Sequence, residues 1–302
     1  MEKVGTVQVG YYSKVVAYRR SPGSKELVAI KTAHVAELER RYLPHFTEDG
    51  ASTITGIEKL LQEVKILEVA TKVPGVVKLE EVIGLPGYPP SPKIRIVMSW
   101  AGVPLMTFMN DRYVANCFPL DHEDTIIVNT SSSYYDEDTT RLIMKQLVQI
   151  IADLHDLCII HKDIKPDNIL VKGHHHVTVI DFSSANESKD GRIFDTQGTV
   201  HFSPPELFRP WDYEDEGRRS FDGYKRDAWS LGMTGLVMLQ GALPFDYSLE
   251  GIRLELAVAS IESVELPRGL SENGRSFLGQ LLTCNVSSRS RVSDMRLHPW
   301  FK

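Results

Sequence analysis

The chain has 302 residues, 42% hydrophobic and 25% charged, which suits about two folding units and excludes a peptide hormone, a collagen and a disordered tail. Its 34 lysines and arginines against 40 acids give a net charge of −6, so no broad field attracts nucleic acid or anionic lipid, and neither is expected as a partner. Cys117, Cys158 and Cys284 are odd in number and lack CxxC spacing, so they read as reduced, buried thiols of a cytoplasmic protein.

The start, Met1-Glu2-Lys3-Val4, lacks the apolar run of a signal peptide, and none is expected. The first hundred residues alternate short β-prone runs with turns: Gly10 to Tyr18, Leu27 to Lys31, Val76 to Ile83 and Lys93 to Met98. Pro86, Pro89, Pro90 and Pro92 make a loop before the last run. Ile57, Leu60, Leu61, Val64 and Leu67 recur at helical spacing and mark one amphipathic stripe. Glu37 to Thr55, with Arg40, Arg41, Pro44, Asp49 and Gly50, reads as a long surface loop, and Asn110 to Asp138 as another.

From Thr139 onward helices dominate. Ile143, Leu147, Ile150, Ile151 and Leu154 mark one, Asp227 to Gln240 a second and Ser271 to Leu282 a third. Ser230 to Phe245 is the most apolar stretch, but Thr234, Gln240 and three glycines make it a buried core helix and not a membrane span. His174-His175-His176 offers too few ligands for a metal and reads as an exposed hairpin turn. The expected architecture is α+β, a small sheet-rich lobe followed by a larger helical lobe.

The most informative stretch is His161-Lys162-Asp163-Ile164-Lys165-Pro166-Asp167-Asn168-Ile169-Leu170, with Asp181-Phe182-Ser183 beginning eighteen residues after Asp163. Phosphoryl transfer needs a carboxylate to take the attacking hydroxyl's proton, a cation on the transferred group and oxygen ligands for Mg²⁺. Asp163, Lys165, Asn168 and Asp181 supply that set. Val28-Ala29-Ile30-Lys31 puts a lysine on a strand and Glu63 lies in the Ile57 to Leu67 helix, so an ion pair between them would hold the lysine against the α and β phosphates. Gln8-Val9-Gly10-Tyr11-Tyr12-Ser13-Lys14-Val15 has the strand-turn-strand position where backbone amides would cover phosphates, with Gly10 the one glycine present of three expected.

These motifs, in this order, resemble the eukaryotic serine/threonine protein kinases, and the resemblance runs from about Lys3 to Phe301. It extends to Gly198-Thr199-Val200-His201-Phe202-Ser203-Pro204-Pro205-Glu206, to Asp227-Ala228-Trp229-Ser230-Leu231-Gly232, and to Arg289, nine residues before His298-Pro299-Trp300-Phe301. The resemblance implies the bilobal protein-kinase fold, with a β-rich N-lobe and its hinge over residues 1–101 and an α-helical C-lobe over 102–302, and an ATP- and Mg²⁺-dependent enzyme acting on serine or threonine hydroxyls of a protein substrate. Asp163 would be the base, Lys165 would reach the γ-phosphate, Asn168 and Asp181 would hold magnesium, and Lys31 with Glu63 would hold the α/β phosphates. It further implies Met98 as gatekeeper, Ser99, Trp100 and Ala101 as the adenine-binding hinge, and Val15, Ala29 and Leu170 around the ring. Leu67, Phe182 and His161 would stack as a column, Glu206 would pair with Arg289, Asp227 would brace the loop around His161, and Thr199 would steady the base. Thr196 is the best placed phosphoacceptor on the activation segment, with Ser188 behind it.

Within the family, His161-Lys162-Asp163 and Gln197 to Glu206 resemble the liver-kinase-B type. The insert between Lys31 and Glu63, Val76 to Val82 and Leu297-His298-Pro299-Trp300 resemble calcium/calmodulin-dependent protein kinase kinase. Both groups phosphorylate activation segments of other kinases, so another kinase is the implied substrate, and an activating partner protein fits the first group. No basic amphipathic helix follows Phe301, so no calmodulin-binding tail is expected in this chain.

Three departures bear on activity. Lys162 stands where many relatives carry an arginine, and a lysine cannot clamp a phosphate bidentately, so switching by phosphorylation is expected to be weak. Ser183 replaces a glycine and stiffens the point after Phe182, while Gln8 and Ser13 place Cβ atoms where they would crowd a triphosphate and weaken its binding. Gln8, Ser13 and Ser183 sustain a second reading, a pseudokinase acting as scaffold or allosteric activator. A small-molecule kinase is a third, disfavoured because Gly198 to Glu206 forms a peptide-docking segment.

Overall fold

A computed structural model describes residues 1–9, 13–85, 91–106, 135–173, 176–210, 219–246 and 248–302. The strands β1 (Glu2–Val9), β2 (Ser13–Arg19) and β3 (Leu27–His34) lead into a short helix α1 (Val35–Glu39), a hairpin β4 (Tyr42–Thr47) and β5 (Gly50–Thr55), and helix α2 (Gly56–Ala70). Then come β6 (Leu79–Ile83) and β7 (Lys93–Ser99), which complete an antiparallel sheet of order β1-β2-β3-β7-β6. Residues directly opposite in antiparallel strands share a face. Val15 faces Lys31, Lys31 faces Ile96 and Ala29 faces Met98, so these five side chains form one surface. Val28, Ile30 and Val97 bury on the other.

Helix α2 starts with a reciprocal cap: the Thr55 hydroxyl accepts from the Glu58 amide, and the Glu58 carboxylate accepts from the Thr55 amide. Its stripe then buries Leu60, Val64 and Leu67, with Glu63 on the same side. The C-lobe opens at β8 (Val103–Pro104) and is built on α3 (Glu137–Asp156), β9 (Ile159–Ile160), β10 (Ile169–Lys172), β11 (His176–Val179), β12 (Asn186–Glu187), β13 (Arg192–Ile193) and β14 (Phe221–Asp222). Helices α4 (Gly223–Gln240), α5 (Gly251–Ala259) and α6 (Glu272–Leu281) follow. Residues 226–238 of α4 are all buried, so this helix is the C-lobe's axis. One apolar core runs between the lobes, from Leu67 and Val76 through Leu147, Ile151 and Phe182 to Trp229 and Phe277. Among the described residues, no helix is long and apolar enough to cross a membrane.

Several boundaries differ from expectation. Glu37 to Thr55 is no loop, because Leu43, His45 and Thr47 alternate inward along β4 and the two-residue turn Glu48-Asp49 returns the chain into β5. Pro44 is tolerated there because β4 is an edge strand. Strand β1 precedes the expected first run, interrupted by register shifts at Lys3/Gly5 and Thr6/Gln8 that break its alternation. Val76 makes an isolated bridge to Val179 and the strand itself begins at Leu79. Helix α4 starts at Gly223 behind an Asp222 cap, and stops at Gln240 because Gly241 takes a left-handed φ of +68°. Ser230 to Phe245 is therefore a buried helix only as far as Gln240, and Asp227 is inside the helix and not its cap.

Asn110 to Asp138 lies mostly outside the described residues, which resume at Tyr135; α3 then begins behind Asp136, whose carboxylate accepts from the Thr139 amide. Cys158 and Cys284 are free thiols and only partly buried, Cys158 because it turns the chain after α3 at φ +61°. Cys117, His174 and His175 lie outside the described residues, while His176 opens β11 on an exposed edge.

Candidate active site

Asp227 sets the loop from His161 to Asn168. Its Oδ2 accepts from the His161 amide and its Oδ1 from the Lys162 amide, both at 2.8 Å, and His155 Nε2 lies 3.0 Å from Oδ2. The carboxylate is fully buried; burial opposes its charge, but the His155 and His161 contacts together prevail and hold the pKa below the ordinary range. His161 in turn reaches the Ile180 carbonyl at 3.0 Å and meets the Phe182 ring edge-on at 5.0 Å. The residues just before Asp163 and just before Asp181 are thereby pinned to each other.

Asp163 is held from three sides. Asn168 Nδ2 donates to its carbonyl at 2.8 Å and to Oδ2 at 2.9 Å, the Thr199 amide donates to Oδ1 at 2.8 Å, and Lys165 Nζ sits 3.0 Å from Oδ2. Lys165 also donates to the Thr199 hydroxyl at 2.6 Å. Burial works against the Asp163 charge, but the Lys165 cation and the Thr199 hydrogen bond hold its pKa below 3.8. The carboxylate is ionised at neutral pH and can accept a proton.

Lys31 Nζ donates to Glu63 Oε1 at 2.5 Å and lies 3.6 Å from Asp181 Oδ1. Burial pushes this lysine down, yet the charges of Glu63 and Asp181 prevail and its pKa stands above the ordinary value. Asp181 is held in a left-handed conformation, φ +63°, which aspartate tolerates better than most residues, and the Ser183 amide reaches its Oδ1 at 3.3 Å. Burial again opposes the charge, and Lys31 with Ser183 keeps the carboxyl below its usual range.

The amide of Asn168 gives its hydrogens to Asp163, and its Oδ1 is buried with no partner. A buried acceptor left unmatched costs about 1–3 kcal/mol. An amide oxygen of this kind, together with the ionised Asp181 carboxylate, fits a hard cation such as Mg²⁺. Among the described residues no three His, Cys, Asp or Glu cluster as a metal cage. Magnesium takes one or two protein oxygens and fills the rest of its shell with phosphate and water.

The remaining sequence-predicted residues fall around this centre. Val15, Ala29 and Met98 are half-buried on the sheet face that carries Lys31, and Trp100 and Ala101 follow β7 into the C-lobe. Leu170 is buried on β10, paired to Pro104 of β8. Leu67 and Phe182 belong to one core. Gly10 lies outside the described residues. Thr196 is exposed, whereas the Ser188 hydroxyl is occupied locally, 2.9 Å from Asp190 Oδ1 and 2.8 Å from the Arg192 carbonyl. Ser188 thus serves a turn.

Two residues beside the catalytic loop were not singled out in the sequence. Asp195 takes both oxygens to Lys162 Nζ at 2.8 Å, and Arg226 donates to the carbonyls of Lys162, Asp195 and Gln197. The available signal was Arg226 itself, a charged residue next to Asp227 at the head of the apolar run Ala228 to Leu239.

A sheet lobe carrying Lys31 and Glu63 above a helical lobe carrying Asp163, Asn168 and Asp181 is the bilobal protein-kinase architecture. The chain matches the protein kinase domain family over residues 1–301 and belongs to it. It is 36% identical over 171 residues to CBL-interacting protein kinase 4 of Oryza sativa subsp. japonica, covering 55% of this chain and 36% of that protein. It is 32% identical over 172 residues to sperm motility kinase 2B of Mus musculus, covering 56% and 33%. Serine/threonine-protein kinase cds1 of Schizosaccharomyces pombe is 32% identical over 187 residues, covering 60% and 39%. The chain spans about a third of the length of the curated relatives it matches.

Proposed function

We propose that the chain is an active protein serine/threonine kinase that transfers the γ-phosphate of Mg·ATP to hydroxyls of a protein substrate. The observation that carries this reading is Asp163: a buried, ionised carboxylate aligned by Asn168 and the Thr199 amide, with the Lys165 ammonium 3.0 Å away. Asp163 takes the proton of the attacking hydroxyl, and Lys165, bridging Asp163 and Thr199, presents its charge to the γ-phosphate. Lys31, kept charged by Glu63, meets the α/β phosphates. The family resemblance implies that Gly10 would cover the phosphates, and that Val15, Ala29, Met98, Trp100, Ala101 and Leu170 would line the adenine site. Asn168 and Asp181 would hold magnesium, which when bound neutralises phosphate charge.

We take the substrate to be the activation segment of another kinase, on the strength of the liver-kinase-B and kinase-kinase resemblance of Gln197 to Glu206 and of the insert ahead of Glu63. The test is transfer from Mg·ATP to an activation-segment peptide by the chain and by Asp163→Asn. Loss of a positioned base should lower the rate by about a hundredfold or more. Transfer by neither folded protein would instead favour the scaffold reading.

A further inference from the structure

Lys162 lies between His161 and Asp163 and has no part in the chemistry above. Its side chain is fully buried, and its ammonium spans both oxygens of Asp195, thirty-three residues along the chain. Arg226, also fully buried, reaches the carbonyls at both ends of that pair and the carbonyl of Gln197. Lys59 on α2 feels the same carboxylate: burial pushes its pKa down and the charges of Asp195 and Glu63 oppose that. The Lys162 ammonium therefore pairs directly with the Asp195 carboxylate, Arg226 holds the backbone on either side of that pair, and the anion they secure in the activation segment is part of the chain.

The same contacts govern the backbone that carries Asp163. Lys162 is left-handed, φ +65°, which costs a residue with a Cβ about 1–2 kcal/mol. It stays there because Asp227 takes its amide, Arg226 its carbonyl and Asp195 its side chain. Asp195 also accepts from the Gln197 amide at 2.9 Å, and two residues on the Thr199 amide donates to Asp163. The bonds close a ring, Asp195 to Lys162 to Asp163 to Thr199 and back along the segment. Removing the carboxylate would leave Lys162 buried and unpaired, a strongly unfavourable state.

We propose that Asp195 is a positioning residue whose carboxylate is a built-in anion, ordering residues 195–199 against the catalytic loop so that the active arrangement needs no phosphate on Thr196. The inference rests on the kinase reading for its effect on rate, but not for its effect on order.

The experiment uses the full chain co-produced with a phosphatase and shown by mass spectrometry to carry no phosphate. Its peptide kcat/KM and ATP affinity are measured beside hydrogen exchange at Gln197 and Thr199. Thr196→Ala, an exposed change, should keep the rate within about twofold. Asp195→Asn should lower peptide kcat/KM by about tenfold or more, leave ATP affinity within about twofold and unprotect both amides. In Asp195→Ala, formate but not chloride should restore part of the rate and the protection. Unchanged rate and protection in Asp195→Asn would overturn the proposal, as would a rise of about tenfold or more in the unphosphorylated chain once Thr196 is phosphorylated. If no form transfers phosphate, the kinase reading fails and exchange alone decides: protection lost in Asp195→Asn upholds the anchor, and protection kept refutes it.

Discussion

Arg289 and Glu206, 83 residues apart, meet as two parallel hydrogen bonds, Nη1 to Oε1 at 2.7 Å and Nη2 to Oε2 at 2.9 Å. The arginine side chain is fully buried, its guanidinium 4.9 Å above the Trp229 ring, and its other donors go to the carbonyls of Thr283 and Lys225. The pair ties the end of the activation segment to the base of the C-lobe.

Glu206→Ala should accordingly destabilise the chain by about 3–5 kcal/mol, because it strands a buried guanidinium. Arg289→Lys should not rescue the site, since an ammonium cannot reproduce the fork or the stacking. Urea unfolding of the three proteins measures both effects, and a cost near that of an exposed ion pair, below about 1 kcal/mol, would show that the pair is not structural.

Gly198 gives a sharper test of the catalytic loop's fit. Its φ is +122°, and a Cβ there would stand 2.4 Å from the Lys162 carbonyl oxygen and 2.7 Å from Arg226 Nη2. Neither atom can retreat, one being backbone and the other fully buried. Gly198→Ala should break the Arg226 contact and lower transfer by about tenfold or more. Gly173→Ala is the control, with φ +53° and nothing within 4 Å of the new Cβ. It should cost about 1 kcal/mol of stability and leave kcat/KM unchanged.

The sequence is legible wherever the physics is local. Helix α2 announces itself through its Ile57 to Leu67 stripe, and Asp163, Lys165 and Asn168 fall within six residues, so a single loop assembles them. The β4–β5 hairpin is harder to read because Pro44 and the Arg40-Arg41 pair obscure a weak alternation. Asp195 is illegible for a different reason: its partners Lys162 and Arg226 lie 33 and 31 residues away. An aspartate on an apparent loop reads as solvated until the fold closes around it. The arginine missing from the His161-Lys162-Asp163 triplet is visible as a departure, but that Lys162 has an aspartate to hold is visible only in three dimensions.

Asn168→Ala probes the metal end of the site. The change removes the two hydrogen bonds to Asp163 and the unmatched Oδ1 together. The Mg²⁺ concentration for half-maximal transfer should rise about tenfold or more. A chelator should abolish transfer by the unaltered chain, and added Mg²⁺ should restore it. An unchanged Mg²⁺ requirement in Asn168→Ala would remove Asn168 from the ligand set.

The Lys162 anchor also predicts a pH profile. Burial lowers the Lys162 pKa from 10.5 to about 8; Asp195 opposes the shift, and Arg226 and Lys59 add to it. Asp163 and Asp195 both sit below 3.8, so neither titrates near neutrality. As pH passes about 8, Lys162 therefore sheds its proton before the unfolded chain does, and its ion pair with Asp195 is lost. Between that point and 10.5 the unfolded state binds more protons, so this group's contribution to global stability rises with pH while its grip on the activation segment falls. Transfer should decline on the alkaline side with no matching decline in Tm. In Lys162→Arg the guanidinium does not titrate, and the alkaline limb should vanish even if the overall rate drops. Transfer that stays flat to about pH 9.5, or a limb that survives in Lys162→Arg, would mean that another group sets the alkaline side.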